Sequence, residues 1–381
     1  MSGMLLRLVC TAAVAAGTVL APVPATAAPE PAGPGERSVA ELLTELQTLY
    51  REAEKATETF NATEERLKKQ RAESERLDRA LARTRLSLHD SRSAAGRLAR
   101  QQYQSVTGIS PYVRLLLARD PQGALDQGQV IGQLARQRAE TVGRLTGAEK
   151  EAGALARRAR EALDDRLALA ERRRKERDEV RERLRDVEEL LASLTAGELA
   201  ALAELERTEV AEAQEELVAS GALGSARTPT AAGDRAVRYA VEQLGKPYEW
   251  GAEGPDTYDC SGLTSEAWGA AGTPIPRTSQ EQWARLERVP LGQLRPGDLV
   301  VYFPEATHVA LYLGGGMVVQ APRPGARIKV SPIAANPVLG AVRPDPGGEP
   351  LRGYVPPKLP EGAADGSDEG YAPATAPTAA D

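Results

Sequence analysis

The chain has 381 residues, enough for two or three structural units on the usual domain size. Its 48 basic and 54 acidic residues leave a net charge of −6 with no basic patch, so nucleic acid is not an expected partner. Two cysteines and two histidines supply neither a disulfide framework nor the ligand spacing of a zinc site, and no metal or cofactor is expected.

The first 27 residues, "MSGMLLRLVCTAAVAAGTVLAPVPATA", join a basic start at Arg7, an apolar run from Leu8 to Leu20 and an Ala25-Thr26-Ala27 cleavage site. This reads as a secretory signal peptide, because the run is shorter than the ~20 residues of a membrane-spanning helix. Cys10 lies inside the run and leaves with it. The expected mature protein is therefore exported and carries Cys260 as its one thiol.

Residues 38–219 read as a coiled-coil region. From Ser38 to Gln102 there is no proline, and a 3-4 spacing from Val39 through Leu42, Leu46 and Phe60 to Gln102 picks out nineteen residues, none charged. Such a seam, kept for about nine heptads, predicts a rod about 100 Å long. The pattern breaks near 105–125, at "TGISPYVRLLLARDPQG", where Gly108 and Pro111 stop one helix and Asp120-Pro121 opens the next. A second long helix to about Ser193 predicts an antiparallel hairpin, and Thr195 to Glu198 caps a shorter helix over Leu199–Val218. The mixed-sign run at 171–180, "ERRRKERDEV", reads as a solvated face.

Residues 220–232 read as a linker and residues 343–381, rich in Pro, Gly and acidic side chains, as a disordered tail. Between them, 233–342 has the size of one domain. Helices are expected over Asp234–Leu244, Cys260–Ala271 and Ser279–Leu286. Strands are expected over Asp298–Phe303, His308–Leu313, Met317–Gln320 and Arg327–Val330, an α+β arrangement.

The chemistry concentrates at "PDTYDCSGLT". Asp259 is a good helix N-cap, which puts Cys260 in a first turn whose free N–H groups favour the thiolate. An inert buried cysteine is the alternative. A nucleophile needs a base, and His308 is the one histidine of this domain. Gln320, on the adjacent strand, is placed to accept from the second ring nitrogen and fix the tautomer. Asp298 reads as a turn residue.

The segments "GKPYEWGAEGPDTYDCSGLT", "PRTSQEQ", "LRPGDLVVYF" and "HVALYLGGGMVVQAP" together resemble the NlpC-type cell-wall endopeptidases, a branch of the papain-like fold, over 233–342. The resemblance implies a Cys260-His308-Gln320 triad, Tyr248 and Ser261 at the oxyanion side of the pocket, and Asp259 and Arg277 near the substrate. It implies cleavage of peptidoglycan stem peptides, usually between γ-D-glutamate and a diamino acid, at the cell wall. The family's "WGG" is "WGA" here, at Ala252. The rod is similar in layout to division hydrolases controlled by a membrane complex, in which the coil can occlude the site and the interruption meets the partner. The corresponding residues are Tyr112, Leu115 and Leu116. Two other readings share these residues: a Cys-His amidase or acyltransferase on a cell-wall amide, and a non-catalytic coiled-coil adaptor with a muropeptide-binding module.

Overall fold

The computed structural model describes residues 37–105, 111–117 and 120–364; the signal-peptide expectation and residues 365–381 lie outside them. Four helices come first: α1 (Val39–Ser105), α2 (Pro111–Leu116), α3 (Pro121–Ser193) and α4 (Ala196–Ala219). Asp120 caps α3 through Gly123 N at 2.6 Å with Pro121 at the first position, and Thr195 with Glu198 forms a reciprocal capping box on α4.

α1 and α3 form an antiparallel hairpin. Leu42, Leu43, Leu46 and Tyr50 of early α1 pack with Val187 and Leu190 of late α3 and with Leu202 of α4, while Leu77 and Leu81 meet Ala159 and Ala162. Each fully buried leucine contributes about 1.5–3 kcal/mol. Near the far end Arg92 pairs with Glu149. The charged run of α3 is mostly exposed, but Arg173 pairs with Glu64 and lies over the Phe60 ring.

The seam of α1 is not its only buried stripe. Tyr50, Glu54, Thr57, Glu58 and Asn61 are also buried, one or two per turn on a neighbouring face, and this face meets the C-terminal domain. Phe60 stacks edge-on against Trp250, with ring centres 5.1 Å apart.

The C-terminal domain adds α5 (Ala231–Glu242), α6 (Cys260–Ala270), α7 (Ser279–Arg285) and six strands: β1 (Glu287–Val289), β2 (Leu299–Tyr302), β3 (His308–Gly314), β4 (Met317–Gln320), β5 (Lys329–Pro332) and β6 (Val338–Arg343). They form one antiparallel sheet in the order β1-β6-β2-β3-β4-β5. One face carries Leu299, Val301, Val309, Leu311 and Val319 against α5 and α6. The other carries Val300, Tyr302, Ala310 and Val318, with Leu217 of α4 and Leu223 packed onto them. The domain thus has its own two-sided core, and α4 covers part of it.

Two expectations fail here. The linker is packed: a Cβ on Gly224 would lie 2.1 Å from Gly292 O, and Thr230 caps α5. The tail does not begin at Arg343, which ends β6, and residues to 364 are pinned to the domain. Asp345 binds Thr230 and Arg295, Leu351 N donates to Pro229 O at 2.8 Å, and Val330 N donates to Ala363 O at 2.9 Å. Composition missed this because an extended strap held by isolated contacts needs no periodicity.

Candidate active site

The site is built where the start of α6 meets the starts of β3 and α7. Asp259 is the N-cap of α6, accepting from Gly262 N at 2.6 Å, so Cys260 is the first helical residue. Position 262 has to be glycine, since a Cβ there would lie 2.2 Å from Ala252 O. Val309 N–H points at the Cys260 sulfur, which ties the start of β3, and so His308, to the nucleophile's helix.

His308 is fully buried. Its Nε2 lies 2.7 Å from Gln320 Oε1, and Gln320 Nε2 donates to Ser331 Oγ at 2.8 Å. With the amide oxygen facing the ring, Gln320 accepts from Nε2–H, which leaves the lone pair on Nδ1. Tyr302 lies against the imidazole, with ring centres 5.5 Å apart. Tyr248 is buried in the same core cluster as Cys260, and burial first, then nearby Cys260, pushes its phenol far up, so it keeps its O–H.

Asp259, expected near substrate, presents no free atom to one. Its carboxylate is fully buried and also accepts from Arg277 at 3.0 and 2.8 Å, Gly251 N at 2.9 Å and Asn61 Nδ2 at 2.9 Å. It positions Arg277. Ser261 is likewise engaged, accepting from Arg277 Nη1 at 2.8 Å.

Two carboxyl groups from α1, one turn apart, fill the cleft. Glu58, 1 % exposed, accepts from Ser261 Oγ at 2.6 Å and from Ser279 N at 2.8 Å, and stands 3.8 Å from Cys260 Sγ. Glu54 Oε1 stands 3.4 Å from His308 Nδ1. Sequence reasoning missed both, because charged residues outside an apolar seam look solvated.

These groups set the ionisation. Burial, then Glu58 and Asp259, push the Cys260 thiol well up, against the helix-start expectation of a thiolate. Burial pushes His308 down to about 4, and burial with the Asp259 charge pushes Glu58 up to about 7. Glu54 is raised too, by burial and by Glu58. With α1 in place Cys260 is a neutral thiol and His308 a neutral ring faced by a carboxyl.

Among the described residues, one group has metal-ligand atoms close together: Glu58, Asp259 and Cys260, within 4.8 Å. The carboxylates there are already spent on Arg277, Asn61, Ser261, Ser279 and backbone N–H groups. Of the residues expected at a partner surface, Leu116 is 84 % exposed and Leu115 partly buried, while the side chain of Tyr112 lies outside the described residues.

Residues 245–340 match the NlpC/P60 family. A protein of Corynebacterium glutamicum named a probable endopeptidase is 39% identical over 125 residues, 33% of this chain and 59% of that one. A probable endopeptidase of Mycobacterium tuberculosis is 36% identical over 116 residues, 30% of each chain. The chain thus spans from under a third to a little over half of these curated relatives. Among solved structures, the NlpC/p60 domain of the peptidoglycan hydrolase SagA is 32% identical, with 29% of this chain and 97% of that chain covered and a TM-score of 0.28. RipD of Mycobacterium tuberculosis, described as a non-catalytic NlpC/p60 domain protein adapted to peptidoglycan binding, is also 32% identical, with 29% and 96% covered and a TM-score of 0.27.

Proposed function

Since residues 245–340 belong to the NlpC/P60 family, we propose that the protein is an exported cell-wall hydrolase that cleaves peptidoglycan stem peptides through Cys260 and His308. The observation that carries this reading is a pocket directly beside the thiol that holds a carboxyl group: Ser261 Oγ and Ser279 N donate to Glu58 as they would to the carboxyl of a γ-D-glutamyl residue.

The reaction requires α1 to leave. His308 Nδ1 then takes the Cys260 proton, and the sulfur attacks the carbonyl carbon. The oxyanion is held by Tyr248 O–H and the Cys260 backbone N–H at the helix start. Breaking the C–N bond, the leaving amine takes the proton from Nδ1, giving a thioester. Water then attacks the thioester with its proton passing to Nδ1, and the thiol is restored as the acid product departs. Gln320 keeps the proton on Nε2 throughout. It stabilises the imidazolium less than a carboxylate would, being neutral.

The helical region is the regulator in this reading. Glu54 and Glu58 block the base and the acyl pocket together, and the latch is polar and incompletely paired. Glu54 Oε1 stands 3.4 Å from His308 Nδ1, a long and weak contact for a buried pair. Lys68 with Glu253 and Glu206 with Arg323 reinforce it from both sides. A partner at a membrane complex, engaging the exposed Leu116, Leu117 and Leu125 at the far end of the hairpin, would supply the release. Division of the cell wall is the setting this implies.

Mass spectrometry of stem-peptide digests tests the activity. The expected product has a new free amine on the diamino acid and a new carboxyl on the γ-D-glutamyl residue. A stem joined to a different amine would instead show an acyltransferase, and intact stems with an unlocked enzyme would show a binding module.

A further inference from the structure

His308, Gln320 and Ser331 form a row across the sheet, one each on β3, β4 and β5. Gln320 lies opposite Lys329 in the strand register, so Ser331 is its diagonal neighbour. All three are buried, and hydrogen bonds join them: Gln320 Oε1 lies 2.7 Å from His308 Nε2, and Gln320 Nε2 donates to Ser331 Oγ at 2.8 Å. β5 is an edge strand, and its backbone is pinned on both sides of the serine. Val330 N donates to Ala363 O and Ile333 N to Gly316 O, each at 2.9 Å. The hydroxyl is thus held by backbone bonds that do not involve the cleft.

An amide has two nearly isosteric senses, oxygen toward the ring or NH2 toward the ring. While the imidazole is neutral both can be satisfied, because a hydroxyl accepts or donates and a neutral ring has one bare nitrogen. The choice disappears once His308 has taken the Cys260 proton. Both ring nitrogens then carry hydrogen, so only the amide oxygen can face Nε2, and the NH2 group needs an acceptor on its other side. Ser331 Oγ is that acceptor. Without it the doubly protonated ring leaves a buried NH2 unpaired. The neutral ring then favours the turned amide, with NH2 on a bare Nε2 and the ring proton on Nδ1, because an unpaired buried carbonyl oxygen is tolerated better than an unpaired N–H. In that tautomer Nδ1 has no lone pair to take the thiol proton.

We propose that Ser331 is a positioning residue for the hydrolysis: by accepting from the Gln320 amide, it keeps the amide oxygen on His308 Nε2 while the ring is doubly protonated. This rests on the hydrolase reading above and adds to it a fourth residue, one that acts through Gln320 and does not touch substrate.

The test uses the full chain carrying Glu58→Lys, which opens the cleft, with and without Ser331→Ala, and the same pair in the presence of Gln320→Ala. On stem peptides, Ser331→Ala should lower kcat about tenfold to a hundredfold, the range for one buried donor left unpaired, with KM held within about twofold. With Gln320→Ala present, the same substitution should change kcat by less than about twofold, because the amide it acts on is gone. Ring-15N labelling of histidine reads the same point without turnover. The chain has two histidines, and His89→Gln leaves the His308 signals alone. At a pH where the ring is neutral, Nε2 should carry the proton in the parent, and in Ser331→Ala the two ring shifts should draw together as Nδ1 takes part of it. An unchanged kcat, an equal fall with and without Gln320, or unmoved ring shifts would each overturn the proposal and leave the hydrolase standing. Failure of the parent to cleave stem peptides removes the hydrolase reading and this inference with it.

Discussion

Cys260→Ala leaves a folded chain whose cleavage of stem peptides falls by roughly four orders of magnitude or more, since Cys260 is the one thiol among the described residues. The replacement is nearly isosteric and Cys260 has a small part in a large core with Leu263, Trp268 and Val309, so the melting temperature should move little. Stem-peptide turnover, followed by product mass and compared with the melting curve of the same sample, checks both. Unchanged turnover would contradict the thiol mechanism.

In the opposite direction, Glu58→Lys in the full chain should raise turnover by about one to two orders of magnitude. The substitution removes the bonds to Ser261 Oγ and Ser279 N and places a cation beside Arg277. Losing ordinary hydrogen bonds costs about 0.5–1.5 kcal/mol each, and ~2.7 kcal/mol is a hundredfold shift between closed and open forms.

The same carboxyl makes the latch sensitive to pH. It faces Asp259, Glu54, Arg277, Ser261, Ser279 and the Cys260 thiol, and burial raises it to about 7 in the closed chain from 4.5 when free. The closed form therefore holds the proton more tightly. Its added stability is complete below 4.5 and is lost as the pH rises through about 7. Turnover of the unmodified chain, divided by that of Glu58→Lys at each pH, should climb between about pH 5 and 8. The division removes the titration of Cys260 and His308, which both proteins share.

The sequence and the structure agree where the signal is local. A nineteen-position uncharged seam gives the long helices, and Asp259 before Cys260 gives the helix start that positions the sulfur. The strands that carry His308 and Gln320 are legible from short apolar runs on either side of the Gly314-Gly315-Gly316 turn. Glu54, Glu58 and Asn61 were not legible. They lie on a charged face of α1 whose partners are about 200 residues away, and nothing in a charge pattern separates a solvated carboxyl from one docked on a distant hydroxyl. The same blindness reversed the expected ionisation of Cys260, because burial under α1, and then the Glu58 and Asp259 carboxyls, outweigh the helix start. β1 and β6 were missed for another reason: one has three residues, and the other carries Gly340 mid-strand and ends where the Pro- and Gly-rich stretch from Arg343 begins.

That helix α1 holds a Cys-His site shut with its own carboxyl groups is tested most directly by the rate at which iodoacetamide alkylates Cys260, read by peptide mass at one neutral pH. The unmodified chain should react slowly, and the chain carrying Glu54→Lys and Glu58→Lys about ten to a hundred times faster. Equal rates in the two proteins would contradict the latch.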